Sequence, residues 1–349
     1  MNLDNINVAK HAVVTPPDVL RRELSASESA MASVARARGE VNTILNGEDK
    51  RMLVVIGPCS IHDTEAALEY AQNLKTLKHE VQDNLLIVMR AYFEKPRTTT
   101  GWKGLINDPD LNDDCNVERG LRLARKLLID ISELGLGVST EALDPIAPQY
   151  LQDLICWSAI GARTTESQTH REMASGLTSA IGFKNGTDGS LEVALNALVS
   201  AANPHRFLGI SPQGEVAIIH TKGNPHTHIV LRGGSGGPNY DSQTIKGCET
   251  ALEKLGVPVN IMVDCSHANS SKEHRRQIDV AFEVSKQIRE GNTSIMGLMI
   301  ESNLKEGNQP LSDNLEYGVS VTDACIGWED TEKLLRQLDQ ELKQALRSR

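Results

Sequence analysis

Eight short apolar runs in this chain each end on a residue that can do chemistry. Leu53-Val54-Val55-Ile56 is stopped by Gly57-Pro58 and followed by Cys59-Ser60, and Leu85 to Met89 runs into Arg90. Gly137 to Thr140 ends at Glu141, Ala159 to Ala162 at Arg163, and Ala180 to Phe183 at Lys184. His228 to Leu231 ends at Arg232, Val259 to Val263 at Asp264 with His267 three residues on, and Ile295 to Ile300 at Glu301. A lone cysteine is more often buried structure, and a lone arginine more often a surface ion pair. The same grammar after every run argues for one site. Arg90, Arg163, Lys184 and Arg232 point to anions, because guanidinium matches phosphate and carboxylate as a planar fork and lysine serves as a movable point charge. Lys95-Pro96-Arg97-Thr98-Thr99-Thr100 adds two cations and three hydroxyls. Six cations exceed what one phosphate needs, so two phosphorylated ligands, or a phosphate with a carboxylate, are the simpler account. Gly233-Gly234-Ser235-Gly236-Gly237 is expected to let backbone N–H groups approach an anion.

A second subset resembles a metal site. Cys59, His267, Glu301 and Asp323 offer a mixed sulfur, nitrogen and oxygen set suited to one divalent ion such as Mn, Fe, Co or Zn. Asp264 reads either as a further ligand or as the group that orients lysine and histidine neighbours. His62 reads as a capping or hydrogen-bonding histidine, and His170, His205, His220, His226 and His228 as structural or solvent-facing.

Strand ends can converge only if the strands form one closed layer. The apolar runs alternate with amphipathic stretches: Asp63 to about 78 with Asp63 as N-cap, 117–134, 148–157, 165–175, 190–202 and 329–346. Two runs, 207–210 and 216–219, flank Ser211-Pro212-Gln213-Gly214 and read as an inserted β-hairpin. The remaining eight alternations predict an α/β chain folded as a (β/α)8 TIM barrel over 49–349. An N-terminal extension occupies 1–48 and the hairpin insertion about 205–227. An open doubly wound sheet is the runner-up. The chain has 349 residues, 3% aromatic, with a formal net charge of −10. The acidic balance disfavours a nucleic-acid partner, and no apolar run approaches a membrane span. Six scattered cysteines without framework spacing and no leader pattern at Met1 to Ala12 suggest a cytoplasmic chain.

At these residues the chain resembles a known family. The stretches that carry the likeness are Gly57-Pro58-Cys59-Ser60, Arg90-Ala91-Tyr92-Phe93-Glu94-Lys95-Pro96-Arg97-Thr98, Gly161-Ala162-Arg163-Thr164-Thr165-Glu166-Ser167 and Gly182-Phe183-Lys184-Asn185-Gly186. Leu231-Arg232-Gly233-Gly234, Asp264-Cys265-Ser266-His267 and Thr322-Asp323-Ala324-Cys325-Ile326 complete it. Together, over about 46–330, they resemble the short bacterial type I 3-deoxy-D-arabino-heptulosonate 7-phosphate (DAHP) synthases. These metal-dependent transferases open the shikimate pathway of aromatic amino acid biosynthesis.

The resemblance implies a divalent ion on Cys59, His267, Glu301 and Asp323. It implies phosphoenolpyruvate on Arg90, Glu141, Ala162, Arg163, Lys184 and Arg232, and erythrose 4-phosphate on Lys95, Arg97 and Thr98. Lys95, His267 and Cys59 become the expected catalytic groups, with Lys95 and His267 competing to deliver the proton. The glycine run departs from the shorter Gly-Gly-Lys-like turn of the family. The resemblance further implies feedback inhibition by an aromatic amino acid, with tyrosine favoured, and a homodimer or homotetramer. Candidate effector positions are Pro148, Gln149, Leu177, Thr178, Phe207 and Gly209. Alternatives are another metal-assisted aldolase of the same fold or a 3-deoxy-octulosonate 8-phosphate synthase, which would take arabinose 5-phosphate, and a non-catalytic sugar-phosphate sensor, which would not need Cys59 and Glu301.

Overall fold

A computed structural model describes residues 3–349. Eight strands close into one parallel barrel, in the order given by their pairing: β1 (Met52–Gly57), β2 (Leu85–Arg90), β3 (Gly137–Glu141), β4 (Trp157–Ile160) and β5 (Ala180–Lys184). Next come β8 (Thr227–Leu231), β9 (Ile261–Asp264) and β10 (Ile295–Glu301), which pairs with β1 and closes the ring. The hairpin of β6 (Arg206–Ile210) and β7 (Val216–His220) stands outside as an antiparallel pair. It lies within the span expected from the sequence.

The strands are buried on both faces, which is why they read as near-continuous apolar runs. The helices show one apolar stripe each. In α10 (Trp328–Arg347), Leu334, Leu335, Leu338, Leu342 and Leu346 are buried. Each such leucine contributes about 1.5–3 kcal/mol of transfer free energy. Local chemistry starts the helices where the sequence indicates. Asp63 accepts hydrogen bonds from the N–H groups of Glu65 and Ala66, opening α3 (Thr64–Val81). Asn116 caps α4 (Val117–Glu133), and Asp241 caps α8 (Ser242–Leu255), which Gly256 ends in the left-handed region.

Ahead of the barrel lie α1 (Pro17–Glu23) and α2 (Glu28–Leu45). Ala37, Val41, Ile44 and Leu45 of α2 share a buried cluster with the inward side chains Leu53, Val55, Leu86, Val88 and Met262. A Cβ on Gly137, at the start of β3, would lie 2.7 Å from that of Ala37. Helix α2 therefore plugs the barrel at the end where the strands begin. Among the described residues, no helix is long and apolar enough to cross a membrane.

Several expected boundaries move, among them the start of the helix expected over 165–175, which begins at Gln168, and three have a visible local cause. The fourth strand spans Trp157–Ile160 rather than 159–162, because the N–H groups of Thr164 and Thr165 turn back onto Gly161 O and end the ladder. The ninth begins at Ile261, two residues later than expected, since Pro258 precludes an earlier ladder bond and Asn260 N turns back onto its carbonyl. The helix expected over 148–157 is one α turn, α5 (Pro148–Leu151), followed by a 3₁₀ turn at Gln152–Leu154.

Candidate active site

Strand alternation decides which side chains reach the barrel mouth. In β2, Leu86 and Val88 belong to the inner cluster and Ile87 and Met89 to the outer one, so Arg90 continues the inward row. The same parity sets Lys184 above Gly182, Asp264 above Met262 and Glu301 above Met299. Gly57 ends β1 where an added Cβ would lie 2.6 Å from Arg90 O, so the chain can turn there and deliver Cys59.

Arg90 is 1% exposed. Its Nη2 donates to Glu301 Oε1 at 2.9 Å, its Nε to Pro58 O at 3.1 Å, and its guanidinium lies 3.6 Å from the Tyr92 ring centroid. Burial alone would lower its pKa, but Tyr92 and Glu301 more than offset this and the charge is held. Lys184 Nζ pairs with Asp264 Oδ2 at 2.8 Å. Asp264 Oδ1 accepts from Ser266 N and Oγ, and its Oδ2 lies 3.1 Å from His267 Nδ1. Burial would raise the pKa of this carboxyl, yet Lys184 and His267 hold it well below the usual carboxylate range. Asp264 is thus the orienting group among the two readings.

One donor atom each from Cys59, Glu301 and Asp323 lies within 4.8 Å of the other two. Cys59 Sγ is 3.5 Å from Asp323 Oδ2 and 3.1 Å from Lys95 Nζ. Asp323 is far from Cys59 in sequence and is brought back by bridges of Ser302 to Ile326 and Gly307 to Cys325. Ser60 Oγ and Thr322 Oγ1, 2.6 Å apart, tie the two segments together. Burial, and then the Glu301 charge, push the Cys59 thiol up to about 11.

His267 lines the same mouth but stands outside that three-residue group. Its Nδ1 faces Asp264 and the Ser266 hydroxyl, while Nε2 has no hydrogen-bond partner among the described residues. A thiol, two carboxylates and a free imidazole nitrogen backed by a carboxylate fit a borderline divalent ion. Ligating histidines characteristically hand their other N–H to such an outer carboxylate.

Above this floor opens a cavity of about 610 Å³. All six positions expected for phosphoenolpyruvate line it, as do Lys95 and Arg97; Thr98 is exposed and does not. Arg163 is exposed and makes no ion pair or hydrogen bond among the described residues. Among the described residues, the Arg232 guanidinium donates only to Gly233 O at 3.4 Å, and its buried Nε has no acceptor. Buried Glu141 Oε1 also lacks a partner, and a Cβ on Gly161 would lie 2.3 Å from it. Arg97 Nε donates to Trp102 O at 2.7 Å. Cations without carboxylates, set in a concave mouth, are arranged for anionic ligands.

The glycine run does something other than cradle an anion. Gly234 and Gly237 hydrogen-bond each other in a tight turn, Gly233 N donates to Asn239 Oδ1, and Ser235 N to Thr187 O. Four of the expected donors are committed within the protein. The loop is rim architecture.

Sequence reasoning passed over three residues. Asn185 accepts from Arg232 N at 2.8 Å and anchors that strand end. Gln277, fully buried in the first turn of α9 (Arg276–Arg289), donates to Glu301 O and accepts from Glu301 N. Lys272 lines the cavity from the β9–α9 loop. Only Asn185, adjacent to Lys184, carried a positional hint.

The expected effector positions fall on three neighbouring pieces. Pro148 and Gln149 begin α5, Leu177 and Thr178 follow α6 (Gln168–Gly176), and Phe207 and Gly209 lie in β6. The N-terminal segment bridges two of them, with Asp18 N donating to Pro212 O at the hairpin tip and Tyr150 OH to Thr15 O. Ser175 and Thr221 hydroxyls, 2.6 Å apart, join α6 to the base of the hairpin.

The profile of the DAHP synthetase I family matches residues 24–336. The Tyr-sensitive phospho-2-dehydro-3-deoxyheptonate aldolase of Salmonella typhimurium is 56% identical over 344 residues, covering 97% of this chain and 96% of that protein. The Phe-sensitive enzyme of Escherichia coli is 53% identical over 342 residues, covering 97% of each. A solved structure of phospho-2-dehydro-3-deoxyheptonate aldolase from Francisella tularensis superposes with a TM-score of 0.95 at 48% identity, over 97% of this chain and 99% of that one. With this barrel, these strand-end residues and likeness along its whole length, the chain belongs to the DAHP synthetase I family.

Proposed function

We propose that this chain is a DAHP synthase, condensing phosphoenolpyruvate with erythrose 4-phosphate and water to give DAHP and phosphate. One observation carries the reading: unpaired cations line a single mouth directly over the Cys59–Glu301–Asp323 cluster.

Arg163, Arg232 and Lys184 hold the phosphate and carboxylate of phosphoenolpyruvate, with Arg90 beneath and the Glu141 carboxylate and Ala162 backbone at the side. Lys95 and Arg97 take erythrose 4-phosphate, and Thr98, outside the cavity as described, reaches it only if its loop moves inward. Holding two anions in contact against their repulsion is an orientation effect as well as a binding one. Cys59, His267, Glu301 and Asp323 hold one divalent ion. That ion, when bound, supplies Lewis acidity toward the acceptor's aldehyde oxygen. C3 of phosphoenolpyruvate attacks the aldehyde carbon while Lys95 delivers a proton to the oxygen. Water adds at C2, and phosphate leaves from the resulting hemiketal. Lys95 suits the role by position, since its Nζ lies 3.1 Å from Cys59 Sγ and it lines the cavity over the cluster.

The effector is an aromatic amino acid, and tyrosine is favoured; it is held where α5, the α6–β5 turn and β6 meet, close to the N-terminal segment. The assembly is a homodimer or homotetramer, and the compartment is the cytoplasm.

Phosphate release from phosphoenolpyruvate tests the reaction. Release is expected with erythrose 4-phosphate and not without it. Equal release with arabinose 5-phosphate, or release independent of any aldose, would contradict the assignment.

A further inference from the structure

Two loops at the mouth end of the barrel carry clustered left-handed backbone, the β2–α4 loop at Leu111, Asp113 and Cys115 and the β9–α9 loop, and in the second the bent residues His267 and Lys272 themselves line the cavity. Among the described residues, seven non-glycine residues have positive φ, and His267 (+58°), Ser271 (+53°) and Lys272 (+62°) are three of them, within one six-residue stretch. Left-handed backbone at residues carrying full side chains is disfavoured and persists only where the surroundings impose it. Here Lys272 N donates to His267 O at 2.8 Å, closing the loop on itself. The consequence is positional: Ser266, Ser270 and Lys272 all line the cavity.

Lys272 Nζ has no ion pair or hydrogen bond among the described residues, although its side chain is exposed at an acidic protein's surface. The other cations of the mouth divide into two kinds. Arg90, Lys184 and Lys95 are engaged by Glu301, Asp264, and Cys59 with Asp323. Arg97, Arg163 and Arg232 have no carboxylate partner, and Lys272 joins them as a fourth. Two phosphorylated substrates, one also carrying a carboxylate, bring about five negative charges, at roughly two per phosphate near neutral pH. Arg163 and Arg232 already serve phosphoenolpyruvate and Lys95 is engaged by Cys59 and Asp323, which leaves Arg97, among the described residues, as the one other cation without a carboxylate for the second phosphate.

Resting on the condensation proposed above, we infer that Lys272 is a second phosphate-binding cation for the aldose acceptor and helps the site select phosphorylated aldoses. Its strained backbone is the means by which the β9–α9 loop turns an ammonium inward beside the Ser266 and Ser270 hydroxyls.

The test is steady-state kinetics of Lys272→Asn and Lys272→Arg. Asparagine tolerates left-handed backbone and removes the charge, so the fold is preserved, and Lys272→Asn is expected to melt no lower than the parent. Its KM for erythrose 4-phosphate is expected to rise about tenfold or more, with KM for phosphoenolpyruvate within about twofold. Lys272→Arg is expected to recover most of the loss. Erythrose without phosphate, tested at high concentration, is expected to lose little between parent and Lys272→Asn. An unchanged KM for the phosphorylated aldose, an equal rise for phosphoenolpyruvate, or a lowered melting temperature as the sole effect would overturn the inference. A parent protein that releases no phosphate with erythrose 4-phosphate would instead sink the reaction on which it rests.

Discussion

The floor and the rim of the mouth solve opposite electrostatic problems. At the floor, Cys59, Arg90, Asp264 and Glu301 are at most 1% exposed, and every charge has a protein partner at hydrogen-bonding distance. At the rim, Arg97, Arg163 and Lys272 are exposed, and none has a carboxylate partner among the described residues. A buried charge must be paired by its own protein, because leaving it alone costs several kcal/mol whether or not substrate is present. An exposed cation can wait in water for its anion at little cost. The floor is thus built during folding, and the rim stands open to an anion.

That contrast breaks if floor and rim substitutions behave alike. The largest separation is expected from Arg90→Ala, which strands Glu301 in the barrel. A loss of about 3–5 kcal/mol is expected in denaturant unfolding, with activity lost as well. Arg163→Ala should leave the unfolding midpoint unmoved while raising KM for phosphoenolpyruvate about 10–100-fold, the worth of a hydrogen bond to a charged group. A destabilised Arg163→Ala would place that residue in the floor.

A smaller effect comes from beneath the floor. His228 is buried, accepts a hydrogen bond from Trp157 Nε1 at 3.0 Å, and burial pushes its pKa from 6.5 to about 3. Between those values the unfolded chain binds a proton that the native one refuses. Stability contributed by the neutral ring is therefore full above pH 6.5 and declines by about 1.4 kcal/mol per pH unit as pH falls toward 3. His228→Gln keeps an acceptor for Trp157 without the titration, so its stability is expected to fall less steeply between pH 7 and 5. Parallel pH profiles would remove His228 from the account.

The sequence was informative where one residue both ends a strand and carries the chemistry. Arg90, Glu141, Lys184, Arg232 and Glu301 could be read from apolar runs because strand parity fixes their direction. Arg163 was reached by the same grammar although β4 stops earlier, since the turn after Gly161 still delivers it to the cavity. What could not be read depends on contacts distant in sequence. The Gln277 clamp on Glu301 is set by tertiary packing, and so is the choice between the two readings of Asp264, which only its pairing with Lys184 decides. The glycine run misled for a related reason: composition reports that amides can approach a ligand, not that the turn has already used them. The bend that presents Lys272 has no compositional signature, because serine and lysine ordinarily avoid that backbone.

The central claim is a metal-holding floor beneath an anion-holding rim, acting together in one condensation. It is tested most directly by measuring phosphate release from phosphoenolpyruvate and erythrose 4-phosphate after a chelator has stripped the protein, and again after a divalent ion is restored. The expected result is no release from the stripped protein and recovery on adding Mn or Fe, with phosphoenolpyruvate binding still detectable by calorimetry in the stripped state. Full activity in the chelator, or recovery only of binding and never of phosphate release, would contradict it.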